Sequence, residues 1–101
     1  MTIFHVRPEK GKVMMRAGDV DVRFSETLTS LRADIDEQLP FLRDRTYAFI
    51  DKNFKIIKPA QEDDKMIKDM YRSAVKVLIL HGRGKRAEQL NNHMEHDISI
   101  Y

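Results

Sequence analysis

Cysteine is absent from this chain of 101 residues. With no thiol there is no disulfide framework, no thiolate nucleophile and no cysteine-held zinc, and a cysteine-free chain suits a reducing compartment, so the cytoplasm is the expected location. Long apolar runs are missing too. None approaches the ~18 residues that would span a bilayer, and no apolar stretch follows a basic flank at the N-terminus, so neither a transmembrane segment nor a secretory leader is expected. A charge excess of one sign is also lacking. The 18 basic and 16 acidic side chains leave a net charge of +2 and are scattered through one another, which gives no field able to drive nucleic-acid binding by itself. Reactive constellations are absent as well: there is no Ser-His-Asp order, no glycine-rich phosphate cradle and no His-Glu-x-x-His segment. Neither an enzyme nor a cofactor is expected.

What is present fits a single folded domain. A chain of this length can close one core without disulfides, and 42% hydrophobic with 34% charged residues lies within the globular range. Thr2 to Arg7 is a short β-prone run stopped by Pro8, with a turn-like Glu9-Lys10-Gly11-Lys12 behind it. Val13 to Arg16 opens a second run, which meets a bulge or turn signal at Ala17-Gly18-Asp19 before Val20 to Phe24 resumes strict alternation. A first hairpin follows from either reading of that signal.

Ser25 is then expected to cap a helix in which Leu28, Leu31, Ile35 and Leu39 form one apolar stripe. Arg32, Asp34, Asp36 and Glu37 would face water, and Pro40 would end the helix. Thr46 to Ile50, the turn Asp51-Lys52-Asn53 and Phe54 to Lys58 read as a second hairpin closed by Pro59. A short helical segment is expected after Glu62-Asp63-Asp64, with Met66, Ile67, Met70 and Tyr71 on one side. Val75 to Leu80 is a continuous apolar run, the mark of a covered central strand, expected to pair with the first strand. The predicted class is α+β, a mixed sheet with one main helix packed across it.

Ile3-Phe4 in the first strand, Ser25-Glu26-Thr27-Leu28 at the helix start and Val77 to Leu80 in the last strand give residues 2–80 a pattern that resembles the ubiquitin-like, or β-grasp, superfamily. The resemblance implies a ubiquitin-like domain over residues 1–81 that holds other proteins without catalysis. It also places Tyr47 to Lys52 where that family carries a partner-binding apolar patch. Tyr47, Phe49 and Phe54 are therefore the expected contact residues. Conjugated members end in an exposed Gly-Gly. This chain reads Gly82-Arg83-Gly84 and runs on for 17 more residues, so a conjugated modifier is not expected.

Residues 82–101 are expected to form a flexible or helical extension. Ala87, Leu90, Met94 and Ile98 recur at helical spacing, which makes Leu90 and Met94 candidates for docking on a groove or on a second copy; a solvated tail is the alternative. His93, His96 and, at a distance, His81 could approach one another, yet two histidines in a polar tail signal a metal only weakly, and none is expected. His5 reads as an exposed or cross-strand hydrogen-bonding residue of the first strand. A second functional reading uses charge. Lys10, Lys12 and Arg16 against Asp51, Glu62, Asp63 and Asp64 could join copies head to tail, as Phox-and-Bem-type β-grasp domains do. A third, in which Arg83, Lys85 and Arg86 contact phosphates of nucleic acid or an acidic membrane, lacks interleaved aromatics.

Overall fold

The computed structural model describes residues 1–7, 13–23, 25–71 and 74–80. Its elements are β1 (Thr2–Val6), β2 (Met15–Asp19), α1 (Leu28–Gln38), α2 (Pro40–Arg43), β3 (Tyr47–Phe49), a 3₁₀ helix (Pro59–Asp64), α3 (Ile67–Met70) and β4 (Ala74–Ile79). The strands form one mixed sheet in the order β2-β1-β4-β3. β1 and β4 run parallel at its centre, with Thr2 opposite Ala74 and Val6 opposite Leu78. β2 and β3 flank them as antiparallel edges. The first and last strands thus pair, as their apolar character suggested, and the class is α+β.

Period-two alternation sorts the central strands between two apolar layers. On one face Ile3, Val75, Val77, Ile79, Tyr47 and Phe49 pack with Leu28, Leu31 and Ile35 of α1, and with Leu42, Ile67 and Tyr71. On the other face Val6, Ala48, Ile50, Leu78 and Leu80 form a second cluster, against which Phe54 and Ile56 pack. β4 supplies residues to both layers. That is why its sequence is continuously apolar rather than alternating.

The cap of α1 lies two residues later than Ser25. Thr27 is the N-cap, in extended backbone, and its hydroxyl accepts from the Ser30 N–H at 3.3 Å while the Ser30 hydroxyl accepts from the Thr27 N–H at 3.1 Å. This is a reciprocal capping box with serine in the place usually held by glutamate or glutamine. Pro40 ends α1 and also starts α2, where its fixed φ suits a first helical position and its missing N–H costs nothing. The extra turn carries Leu42 into the core.

Two expected strands are shorter than the sequence pattern indicates. The chain leaves β2 at Val20, whose N–H and C=O both bond to Met1 at 2.8 Å. Beyond it Gln38 holds the Asp21 backbone from both sides, at 2.8 and 3.0 Å. Asp21, Val22 and Arg23 therefore lie in the connection, not in the sheet. In the second hairpin only one bridge, Ile50 opposite Ile56, joins the returning segment. The Asp51 carboxylate accepts from the Asn53 and Lys55 N–H groups, and Phe54 sits at φ 62°, a left-handed turn geometry that breaks the ladder before it can form.

The bulge does occur. Ile3 pairs with Gly18 and Phe4 with Arg16, which leaves Ala17 without an opposite residue. Gly18 has φ +150°, and a Cβ there would meet the Leu39 side chain at 2.7 Å. The positive φ is what favours glycine here, and without a Cβ the Leu39 side chain at the end of α1 can close onto β2.

Candidate functional site

Among the described residues most large apolar side chains are buried or half-buried, so four exposed ones stand out. Val13, Met14, Met15 and Phe41 are 63, 42, 49 and 40% exposed. Three are consecutive and lead into β2, an edge strand; the fourth lies in α2. His5 connects the two groups. It is directly paired with Met15 across the β1–β2 ladder, so both side chains share one face of the sheet, and its ring lies 5.3 Å from that of Phe41. The Arg45 guanidinium stands over the outer side of Phe41, 5.8 Å from the ring centroid. Met15, His5, Phe41 and Arg45 thus form one continuous strip at the end of the sheet where β1 finishes and β2 begins.

His5 is the chemically unusual member. It is only 4% exposed, and its Nδ1 has no hydrogen-bond partner. Burial, and after it the charge of Arg7, holds the imidazole below its ordinary value, because both disfavour the protonated ring. The exposed or hydrogen-bonded histidine expected from sequence is instead a neutral ring under Phe41.

The two edges of the sheet differ in availability. On β3 the Tyr47 carbonyl accepts from Arg32 Nη1 at 3.1 Å and the Phe49 carbonyl from the Ile57 N–H at 2.9 Å. On β2 no strand among the described residues pairs with the outer edge. Part of it is blunted by the bulge and by the exposed ion pair of Arg16 with Asp19, devices that discourage indiscriminate strand addition. The segment from Val13 to Met15 precedes both.

The aromatic residues expected to meet a partner lie elsewhere. Tyr47 and Phe49 are fully buried against α1, with rings edge to face at 6.1 Å, and so have no surface to present. Their parity in β3 puts them under the helix, a choice that alternation alone leaves open. Phe54 is half-buried on the opposite layer beneath the Lys76 ammonium.

The acidic pole is largely consumed within the fold. Glu62 is 4% exposed and takes a two-pronged ion pair from Arg32, Nε to Oε1 at 2.8 Å and Nη2 to Oε2 at 3.1 Å. The same guanidinium lies 4.5 Å from the Tyr47 ring centroid and 4.9 Å from that of Phe49, and the Tyr47 hydroxyl donates to Asp36 at 2.7 Å. Arg32 and Asp36, expected in water, therefore fold inward over Tyr47. Asp51 organises its own turn, and Arg16 is engaged with Asp19. Asp63 and Asp64 of the proposed charge set are exposed at the end of the 3₁₀ helix. Lys10, Lys12, Leu90, Met94 and the histidines of the C-terminal segment lie outside the described residues.

Sequence reasoning missed the Val13–Met15 and Phe41 strip. The signal available was an aromatic directly behind Pro40, on the other side of the short helix from Leu42, and an apolar triplet where an edge strand would alternate. Among the described residues no helix is long and apolar enough to cross a membrane. Comparison with protein-family models, curated proteins and solved structures returned no match.

Proposed function

We propose that the chain is a ubiquitin-like β-grasp domain that serves as a non-catalytic protein-interaction module. The layout is in keeping with this: a first hairpin, a main helix laid on one face, and a last strand returning parallel to the first at the centre of the sheet. The observation that carries the functional reading is the strip at the β2 edge. Met15 and Phe41, exposed on either side of a buried histidine, with Val13 and Met14 exposed just before Met15 in the chain, are what a contact surface requires and what an isolated soluble domain avoids. Tyr47 and Phe49 have the role of shaping that scaffold rather than touching a partner.

The test is site-specific photo-crosslinking in cell extract. A photoreactive phenylalanine analogue at position 41 or 15 should form discrete adducts that excess unlabelled protein competes away, whereas the same analogue at the exposed Lys58 should form none. Equal labelling from all three positions would refute the reading. Self-association through residues 84–101 is a separate matter, decided by light scattering of the full chain against one shortened at Gly84.

A further inference from the structure

We propose that the partner bound at this strip is a protein segment carrying acidic residues around an apolar anchor. The inference rests on the interaction reading above and adds the chemistry of the partner. Its basis is the charge around the apolar strip. The segments that build it are residues 5–7, 13–15 and 40–46, and their charged side chains are Arg7, Arg43, Asp44 and Arg45. Among the described residues of these segments three cations stand against one anion, Asp44, which lies 3.6 Å from Arg43, so the balance is positive. His5 adds no opposing charge, being buried and neutral.

The arrangement matters as much as the sum. Arg45 is exposed and placed over the Phe41 ring, so its guanidinium is held at the rim of the apolar surface. Arg43, the last residue of α2, and Arg45, in the turn that follows, are both exposed. An apolar anchor set against Met15 and Phe41 would bring flanking carboxylates to these guanidiniums, which favour carboxylates because they can bind them through two parallel N–H donors. A basic partner would meet repulsion on the same approach. The mode is therefore an apolar centre with a selective cationic rim.

The experiment is selection of a random peptide display library on the full chain. Enriched sequences should pair at least one large apolar residue with a clear excess of Asp and Glu. Synthetic versions should bind on the order of tenfold more weakly to the R43E/R45E variant, the scale of two rim ion pairs, and should lose measurable binding to Phe41→Ser. Thermal unfolding of both variants verifies that the fold persists, as their exposed positions predict.

Enriched peptides that are neutral or basic, or affinities indifferent to R43E/R45E, would overturn the acidic preference while leaving the interaction module standing. Failure to enrich any peptide over inert beads would overturn both. Binding to anionic phosphatidylserine vesicles that R43E/R45E abolishes and that the selected peptides fail to displace would equally reject an acidic protein segment as the occupant.

Discussion

Arg32 shows how one side chain can tie together parts of a small domain that local pattern keeps separate. Its guanidinium closes an ion pair with Glu62, caps the edge carbonyl of Tyr47 and covers two aromatic rings. Because both charges are withdrawn from water, removing one strands the other. Arg32→Met is expected to destabilise the fold by about 3–5 kcal/mol. The double variant R32M/E62L, which removes both charges and keeps the volume apolar, should recover most of that loss. Urea denaturation of the three proteins checks it, and a double variant no better than Arg32→Met would show that the pair's geometry, not its charge balance, matters.

His5 supplies the second prediction at this scale. Its folded value lies below the ordinary 6.5 of the unfolded chain, so the unfolded state binds more protons below that pH. Stability due to this site is complete above about pH 6.5 and declines as the pH falls from there toward the lower folded value, with a slope of at most about 1.4 kcal/mol per pH unit. His5→Leu should flatten this part of the stability profile, measured by denaturant titration between about pH 7 and pH 5. An unchanged profile would assign the acid sensitivity to other groups.

Among the elements, α1 was the most legible. Leu28, Leu31 and Ile35 recur at helical spacing, and all three are fully buried, because a stripe of this kind has only one way to leave water. The cap was misplaced because Ser25, Thr27 and Ser30 all carry suitable hydroxyls. Thr27 wins by having Ser30 three residues on to return the bond. Thr27→Ala should therefore cost about 1 kcal/mol and Ser25→Ala much less, whereas Leu31→Ala should cost about 2–5 kcal/mol through the cavity it leaves. Thermal melts of the three variants would rank them, and a larger effect at Ser25 than at Thr27 would restore the earlier cap. The inward turn of Arg32 was not legible in the same way. Its partner lies 30 residues away, and helical periodicity says nothing about a neighbour supplied by a distant 3₁₀ helix.

For the whole molecule the decisive feature is the parallel pairing of β1 with β4, which joins the two ends of the described chain at the centre of the sheet. The apolar content of both strands pointed to it; the exposed strip did not follow, since it depends on where α2 sets Phe41 relative to β1. This topology also predicts how the molecule opens. β1 and β4 are bonded on both sides and covered by apolar layers on both faces, so their amides can exchange only when the sheet comes apart. The turn from Asp51 to Lys55 precedes the Ile50–Ile56 bridge and the Ile57–Phe49 bond that tie the returning segment to the sheet, and α2 is one turn long, so both can open locally. Native-state hydrogen exchange should show the amides of Ile3, His5, Val75 and Val77 protected to the full free energy of unfolding. Those of Lys52, Asn53 and Arg43 should exchange far faster, with little dependence on denaturant. Equal protection of Lys52, Asn53 and the central strands would mean that the turn over the second apolar layer opens only with the whole sheet. Faster exchange in β1 than in α1 would place the stable nucleus in the helix and dissolve the argument that the sheet's two middle strands hold the domain together.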